Sequence, residues 1–236
     1  MRLVFALALL VPLAALAQPG LPQPPVASDS LGPPTFMSGA GLAIRLTNDG
    51  FGVGGVLRAE VGETTSLFIE ASINPGKDER EQQFFIGFFG ETVVPLKRNY
   101  FAMMPVHAGV EQRLFRDSIE DNFRPFFQIA AGPTFGYQWP YFEDTNRNGV
   151  RNEGESLEGA FGGFGDGSFR MGLGGTISVG AYFGRSRRTT QGLRIGYHGT
   201  YFFDQVDLLE LNPDVQDPSK HYFGTPLVSV HLLRLW

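Results

Sequence analysis

Five separate stretches of the chain alternate bulky apolar residues with small or polar ones. The clearest stretch covers residues 123–139, where all but one of the even positions hold a small, polar or charged residue. The odd positions hold Phe123, Pro125, Phe127, Ile129, Ala131, Pro133, Phe135, Tyr137 and Trp139. Because successive side chains of a β-strand point to opposite faces, this alternation predicts a strand with one apolar face.

A second stretch, residues 169–184, repeats the alternation and places four glycines on the face opposite its bulky side chains. The sheet of a soluble protein would bury its bulky face and cover the other face with Lys, Glu and Thr. Glycine with isolated charges suits instead the crowded interior of a small barrel whose bulky side chains meet lipid. The pattern therefore predicts that the bulky side chains point outward.

The alternation and the turn-forming residues between the stretches predict eight strands. They lie near residues 36–47, 53–61, 67–73, 100–115, 123–139, 169–184 and 193–201, and from about 221 to Trp236. Residues 84–99 are ambiguous, because Phe84 and its neighbours either extend the third strand or pair as a strand of their own. The predicted fold class is all-β, an up-and-down antiparallel transmembrane barrel of eight strands, with ten strands as the alternative.

Short and long connections mostly alternate along the chain. The short ones are residues 48–50, 62–64, 116–122 and 185–191, and the long ones are residues 74–83, 140–168 and 204 to about 220. Outer-membrane barrels have short periplasmic turns and longer outside loops. This comparison places both termini in the periplasm and the insert, residues 140–168, outside the cell.

The N-terminal residues 1–17 read as a secretory signal peptide, with Arg2 at the positive end and Ala15-Leu16-Ala17 as the cleavage site. Residues 18–35 are rich in proline and are interpreted as an extended periplasmic leader. Residues 36–236 then form the barrel. Nothing after the signal peptide is apolar over the roughly 20 residues that a spanning helix needs, so any membrane span is predicted to consist of strands.

The composition agrees with a barrel in an outer membrane. The chain has 31 glycines and 22 phenylalanines, and its formal net charge of -5 offers no basic surface for nucleic acid. It contains no cysteine, so lipid attachment at the cleavage point, disulfides and thiolate metal sites are excluded.

Residues 36–236 resemble the family of bacterial eight-stranded outer-membrane barrels, similar to the barrels of outer-membrane proteins A and X. The resemblance rests on the alternation, the glycine and aromatic content and the aromatic C-terminal residue. It implies an outer-membrane location after signal-directed export, outer-membrane lipid as a partner, and recognition by the barrel-assembly machinery. In that family the terminal aromatic residue and alternate apolar residues form the recognised signal, here Trp236, Leu232, Val230 and Val228. Arg234 departs from this pattern.

The inward face of the predicted barrel carries nine charged residues. They are Arg45, Arg58, Arg113, Arg124, Arg170, Arg194, Glu60, Glu70 and Glu111. An eight-stranded barrel is just wide enough for its own side chains to fill it, and unpaired buried charge is very costly. Opposite charges should therefore pair, which favours a closed interior; a small-solute pore is the alternative.

A lipid-modifying barrel enzyme is a further alternative, because Ser229 and His231 lie two residues apart on one predicted inward face. Glu111 or Glu70 would supply the third group that a hydrolase needs. Such spacing is common in strands, and the chain has no local signature of the barrel lipases or acyltransferases. No catalytic residue is therefore predicted.

Residues 144–155 match the twelve-residue EF-hand calcium loop position by position, with Gly149 at the sharp turn in position six. The predicted metal ligands are Asp144, Asn146, Asn148, Val150 through its backbone carbonyl, Asn152 and Glu155. Only Asp144 and Glu155 bring negative charge, and Arg147 and Arg151 oppose it. Calcium binding is therefore predicted to be weak, with a Kd of about 0.1 to 1 mM. The alternative is a hydrophilic Asn/Gly turn with this spacing by coincidence.

Together these features predict a non-enzymatic outer-membrane barrel with a structural, adhesive or surface-binding role, whose outside loops are the working surface. Residues 159–169, rich in glycine and phenylalanine, are expected to become ordered when calcium binds beside them. The sequence identifies no extracellular ligand. A secreted soluble barrel with its bulky residues inside is the remaining alternative, and it would leave a glycine-rich, sparsely charged exterior.

Overall fold

The computed structural model describes residues 38–86, 91–116, 118–119, 122–184, 189–210 and 219–236. The strands in this part of the chain are β1 (Ser38–Thr47), β2 (Gly50–Glu60), β3 (Thr65–Pro75), β4 (Phe84–Ile86), β5 (Glu91–Val93), β6 (Asn99–Arg113), β7 (Phe123–Pro140), β8 (Ser168–Phe183), β9 (Thr189–Asp207) and β10 (Ser219–Leu235). A 3₁₀ helix, Gly162–Asp166, lies between β7 and β8. No helix among the described residues is long and apolar enough to cross a membrane. The predicted signal peptide and leader fall on residues outside the described part.

Eight of the strands pair edge to edge into a closed barrel, in the order β1-β10-β9-β8-β7-β6-β3-β2. Every pair is antiparallel, and β1 closes the ring by pairing with both β10 and β2. Closure removes the unpaired backbone groups that a sheet edge would present. The prediction of an all-β, up-and-down antiparallel barrel of eight strands is confirmed. We name the end with Ser38 and Trp236 the inner end, and the opposite end, which carries the insert, the outer end.

The strands are strongly staggered around the barrel. A line of paired residues that starts at Ser38, at the inner end of β1, crosses the other strands and reaches Pro226 of β10. It passes through Ala59, Leu67, Val110, Ile129, Ile177 and Tyr197. The next residue, Leu227, pairs with Thr47 at the outer end of β1. One circuit of the ring therefore shifts the paired position from the inner end of β1 to its outer end. Such a stagger requires strands tilted by about 35–45° to the barrel axis.

In the ambiguous range 84–99, the described strands β4 and β5 neither extend β3 nor join the barrel. Strands β4 and β5 pair with each other as a separate two-stranded sheet. The alternative of a ten-stranded barrel is therefore wrong. The physical reason is that β3 and β6 pair directly, from Thr65 with Gln112 to Pro75 with Ala102, which leaves no edge for an inserted strand.

The alternation predicted from the sequence is present in the barrel strands. Bulky side chains on the outward face, such as Leu42, Ile69 and Ile177, are exposed around the wall. Their neighbours in sequence point into the barrel and are buried, as Ala43 and Glu70 show. The bulky residues therefore face outward, and the small and charged residues face inward.

Two positions depart from the predicted faces. Trp139, predicted on the open outer face, is only 9 % exposed, because the insert between β7 and β8 folds over it. Arg170, predicted inside the barrel, lies near the outer end of β8, which begins at Ser168. Its guanidinium donates to the backbone carbonyls of Phe169 and Gln205, so it belongs to the rim of the barrel rather than to the interior.

The loop predicted from 204 to about 220 is shorter than expected, because β9 continues to Asp207 and β10 begins at Ser219. Asp207 pairs with Ser219 at the outer end of both strands. The polar residues there resemble a loop in sequence, yet the ladder holds them in the sheet. β6 to β10 have 15 to 19 residues each and extend beyond the outer ends of β1 to β3, which have 10 or 11.

Candidate functional site

The middle of the barrel interior is filled by one network of charged and polar side chains. Arg194 donates from Nη1 and Nη2 to the two carboxylate oxygens of Glu70, at 2.8 and 2.9 Å. It also donates to Gln128 Oε1 at 3.0 Å and, from Nε, to Ser229 Oγ at 3.1 Å. Arg45 Nη1 lies 3.7 Å from Glu70 Oε1. All five side chains are buried, so the pairing predicted for the interior charges is present here.

A second network lies nearer the inner end. Arg58 forms a salt bridge with Glu111 at 2.7 Å, and Glu111 accepts hydrogen bonds from Tyr182 and Gln128. The Arg58 guanidinium also lies 5.2 Å from the centre of the Tyr182 ring. Gln128 belongs to both networks, because it also accepts a hydrogen bond from Arg194.

Two histidines fill the interior on the outer side of the central network. His107 and His198 stack with their ring centres 5.3 Å apart and contact the hydroxyls of Thr134, Thr176 and Thr200. The cavity left between these side chains and the charged network has a volume of about 10 Å³. That volume holds about one water molecule. The side chains described here fill this part of the barrel interior, which argues against the small-solute pore.

The outer mouth of the barrel is closed by an apolar cluster. It consists of Phe101, Met103, Phe202, Val206, Leu208 and Phe223. The three phenylalanine rings meet at centroid distances of 5.2 to 5.7 Å. The cluster lies where β6, β9 and β10 continue past the outer ends of β1 to β3, and all six of its side chains are buried.

The described residues between β3 and β6 are held over this cluster by ion pairs. Asp78 accepts hydrogen bonds from the Arg80 side chain at 2.8 and 2.9 Å and lies 3.5 Å from Lys220 Nζ of β10. Lys97 Nζ donates to Glu81 Oε2 at 2.7 Å. Burial alone would raise the pKa of Asp78, but the hydrogen bonds from Arg80 and the charge of Lys220 hold it below its ordinary value. These charged contacts add a second layer to the closure of the mouth.

Ser229 and His231 are in contact, with Ser229 Oγ 2.7 Å from His231 Nε2. Both residues are buried, and Ser229 Oγ already accepts a hydrogen bond from Arg194. Glu70, one of the carboxylates considered as a third group, has both oxygens engaged by Arg194. The contact is therefore part of the buried interior packing, and Glu70 is already paired with Arg194.

Residues 144–155 form a compact loop in which side-chain oxygens accept backbone hydrogen bonds. The Asp144 carboxylate accepts from the N–H groups of Asn148 and Gly149, at 3.1 and 2.8 Å. Asn146 Oδ1 accepts from the Asn148 N–H, and Asn148 Oδ1 accepts from the Val150 N–H. Gly149 has a φ of +73°, in the left-handed region that favours glycine.

Glu155 closes this loop. Its carboxylate oxygens accept hydrogen bonds from the backbone N–H groups of Thr145 and Asn152, at 3.2 and 2.7 Å. The Asn152 side-chain amide donates to the Val150 carbonyl oxygen at 3.0 Å. The structure therefore brings all six residues of the predicted ligand set into one hydrogen-bonded loop, with the Glu155 carboxylate beside the residue that follows Asp144.

The loop lies on the outer rim of the barrel. At its base the Glu158 N–H donates to the Tyr141 carbonyl oxygen at 2.9 Å, which brings the two ends of the loop together. The Arg98 guanidinium packs against Gly149, where an added Cβ would lie 2.9 Å from Arg98 Cζ. Arg98 Nη1 is also 3.8 Å from Asp207 of β9. The contacts of Arg98 thus connect the loop to the wall of the barrel.

The remainder of the insert folds back on the outer wall of β7; we call residues 159–169 the flap. Trp139 Nε1 donates to the Ala160 carbonyl oxygen at 2.8 Å. The Phe164 ring lies 4.8 Å from the Tyr137 ring and 5.2 Å from the Trp139 ring. This covering was not predicted, because the alternation places Tyr137 and Trp139 on the same outward face as the preceding odd-numbered residues of β7. The one signal available was the change at this end of β7 to aromatic residues that carry polar atoms.

Asp49 lies in the turn between β1 and β2, and its burial makes the stability of the protein depend on pH. Burial raises the pKa of its carboxyl to about 6, with Lys77 opposing this rise and Glu81 adding to it. A group whose folded pKa exceeds its unfolded value binds its proton more tightly when folded. Stability therefore falls as the pH rises from about 4 to 6, and the loss is complete above that window.

Asp49→Asn removes this loss because the amide does not ionise. We expect the melting temperature of the variant in detergent to exceed that of the unsubstituted protein by a few degrees at pH 8 and to match it at pH 4. A difference of the same size at both pH values would contradict the assigned burial of Asp49.

No protein-family model matches the chain, and no curated protein matches it. Neisserial surface protein A is similar in structure, with 9 % identity and a TM-score of 0.42, over 84 % of this chain and 94 % of that one. The N-terminal barrel domain of Pseudomonas aeruginosa OprF has 6 % identity and a TM-score of 0.40, over 85 % and 97 %. Ail, the attachment invasion locus protein of Yersinia pestis, has 13 % identity and a TM-score of 0.35, over 84 % and 97 %. These values are too low to transfer a function, and the fold is established by the strand pairing of this chain itself.

Proposed function

We propose that the protein is a non-enzymatic barrel of the bacterial outer membrane, whose outside loops serve a structural, adhesive or surface-binding role. The observation that carries this proposal is a belt of apolar side chains around the barrel wall. Each barrel strand contributes to it at 37 to 68 % exposure, with Leu42, Val53, Ile73, Val106, Ile129, Leu173, Ile195 and Leu232 as examples. Soluble proteins rarely leave a contiguous apolar surface of this extent open to water, whereas a membrane barrel requires one.

The length of the shortest strands supports a bilayer as the surroundings of the belt. β1 and β2 have 10 and 11 residues. Tilted strands of about 9–11 residues span the hydrocarbon core of a membrane. Exposed aromatic side chains flank the belt as the girdles of outer-membrane barrels do: Phe115, Phe123, Phe183 and Trp236 toward the inner end, and Phe51, Phe169, Tyr201 and Tyr222 toward the outer end.

In this proposal the protein is exported by its signal peptide, and the inner end of the barrel faces the periplasm. Outer-membrane lipid is the partner of the belt. Trp236 and Leu232 are exposed on the outer face at the end of β10, where the barrel-assembly machinery would read them. The charged interior is closed, so the function is assigned to the outside loops rather than to transport.

Fractionation followed by gel mobility tests the proposal. The protein is expected in the outer-membrane fraction, and the unheated sample should resist SDS and migrate differently from a boiled one, because the closed ring of strands has no edge at which to open. The boiled sample serves as the unfolded reference. A mature chain that stays monodisperse in buffer without detergent would overturn the membrane location and favour the soluble barrel.

We also propose that residues 144–155 bind calcium weakly. Carboxylate, amide and carbonyl oxygens are the hard ligands that Ca²⁺ prefers, and the loop offers six of them, from Asp144, Asn146, Asn148, Val150, Asn152 and Glu155. The Asp144 and Glu155 carboxylates accept backbone N–H groups in this loop, and a bound ion would place a full positive charge beside both of them. Calcium would thereby stiffen the outside insert.

Limited proteolysis with trypsin measures this binding, because Arg147 and Arg151 are cleavage sites inside the loop. Calcium at about 5 mM is expected to slow cleavage there by roughly 5- to 50-fold relative to EDTA, as a Kd of about 0.1 to 1 mM requires. Glu155→Gln should abolish the protection. Glu153→Gln, which changes an exposed carboxylate outside the ligand set, should retain it. Equal cleavage of the unsubstituted protein with and without calcium would rule the site out.

A further inference from the structure

The flap, residues 159–169, has two chemically different sides. On the side of the barrel rim, Asp166 and Ser168 line a polar cleft of about 180 Å³, together with Arg98, Asn99, Asp144 and Asp207. On the other side, the side chains of Phe161, Phe164 and Phe169 are 83, 47 and 68 % exposed. Asp166 is the only charged residue in the flap sequence. One polar and one apolar side is typical of a segment that lies in a membrane surface.

The exposed rings have defined positions on the barrel wall. The Tyr137 hydroxyl donates to the Phe164 carbonyl oxygen at 2.5 Å, and the Phe169 ring lies 4.7 Å from the Tyr137 ring. Gly163 is buried against Pro140, where an added Cβ would lie 3.1 Å from the Pro140 carbonyl oxygen. The flap therefore packs directly on β7 through Gly163 and the inner side of the Phe164 ring, and it leaves Phe161 almost fully exposed.

The apolar side of the flap continues the belt. The outward positions of β8 from Phe183 to Phe169 carry no polar side chain. For a strand tilted by about 40°, that run extends roughly 35 Å along the barrel axis, whereas the apolar band of an outer-membrane barrel is about 25 Å tall. With the inner part of β8 in the hydrocarbon core, the flap, including Phe169, lies at the boundary between acyl chains and headgroups.

We propose that the flap lies in the outer leaflet of the membrane and that Phe161, with Phe164 and Phe169, inserts at this boundary. The inference rests on the proposed membrane location. Lipid is the occupant because the patch is continuous with the lipid-facing belt and its apolar side offers no charge to a polar partner. The flap thereby holds the adjoining loop of residues 144–155 at a fixed height above the leaflet.

A single fluorescent label tests the inference, because the chain has no cysteine of its own. Phe161→Cys is compared with Ile129→Cys in the belt and Asn152→Cys in the outside loop, each carrying the same environment-sensitive fluorophore. The proteins are reconstituted in phosphatidylcholine vesicles that contain lipids with a nitroxide near the headgroup or deep in the acyl chain. Headgroup-side nitroxide should quench the label at 161 about threefold more than the label at 152. Deep nitroxide should quench the label at 129 most strongly.

The outcomes separate this inference from the proposed location. Quenching at 161 no stronger than at 152, with strong quenching at 129, overturns the flap inference and leaves the membrane barrel in place. Loss of quenching at 129 overturns the membrane location itself. A third outcome combines two measurements. If the labelled Phe161→Cys protein showed no quenching and the unlabelled one formed disulfide-linked dimers at a low protein-to-lipid ratio, the patch would be assigned to a second copy instead of lipid. The heat shift on gels verifies that each variant is folded, and Phe169→Cys supplies a second position on the patch.

Discussion

Replacing Glu70 with alanine is expected to lower the free energy of unfolding by about 3–5 kcal/mol, because it leaves the guanidinium groups of Arg194 and Arg45 buried without a carboxylate. All three side chains are buried, and the adjacent cavity holds too little water to solvate the charges. Urea unfolding in phospholipid vesicles measures the loss. The unheated gel mobility of the variant should also be lost at a lower temperature.

Two variants show whether the loss comes from unpaired charge. The double variant Glu70→Gln/Arg194→Gln returns the net charge of this layer to that of the unsubstituted protein, so it should recover at least half of the lost stability. Glu60→Ala is the matched control, because the Glu60 side chain is 32 % exposed and lies 3.9 Å from Arg58, an arrangement worth about 0–1 kcal/mol. If Glu70→Ala proved as stable as Glu60→Ala, the central network would not be the buried structure described above.

Ile129→Arg is expected to destabilise the barrel by about 2–4 kcal/mol, the cost of a charge on the lipid face near the middle of a bilayer. Ile129 points outward from β7, next to Gln128 of the central network, and its side chain is exposed on the barrel wall. The same urea titration in vesicles gives the free energy of unfolding. Vesicles with thinner hydrocarbon cores should reduce the cost, because the arginine head then reaches water more easily.

Leu157→Arg is the control for this prediction. Leu157 is an exposed apolar residue of the insert, outside the belt, and its replacement should change the stability by less than about 0.5 kcal/mol. In a soluble barrel both variants would behave alike, since an exposed isoleucine can be replaced by arginine at little cost. Equal stabilities of the two variants would therefore refute the membrane belt, whatever the behaviour of the interior.

The filled interior and the apolar belt leave the outer end of the barrel as the surface where we expect binding. The side chains of the central network leave room for about one water, and the aromatic cluster above it closes the mouth. Binding is therefore expected at the rim, where the loop of residues 144–155 and the ion-paired residues between β3 and β6 lie. Ligand searches with the insert removed or exchanged would examine that surface directly.

Alternation, together with the turn-forming residues between the stretches, was enough to predict the eight barrel strands and most of their outward faces. Leu42, Ile69 and Ile177 are exposed as the two-residue period predicts, because the direction of a side chain in a strand is a local property of the backbone. The oxygen donors of residues 144–155 were likewise predicted from spacing within one short segment. A loop of this length brings its own residues together without help from the rest of the chain.

Only the tertiary structure decided which charges meet, where β9 ends and what covers Trp139. Glu70 and Arg194 are 124 residues apart, and they pair because the barrel closes in one register. Asp207 stays in a strand because Ser219 pairs with it, and Trp139 is covered because the insert folds back over β7. Each of these facts depends on contacts between distant segments. The two-residue alternation along a strand determines which face a side chain occupies. The register between strands determines which other side chains it contacts on that face.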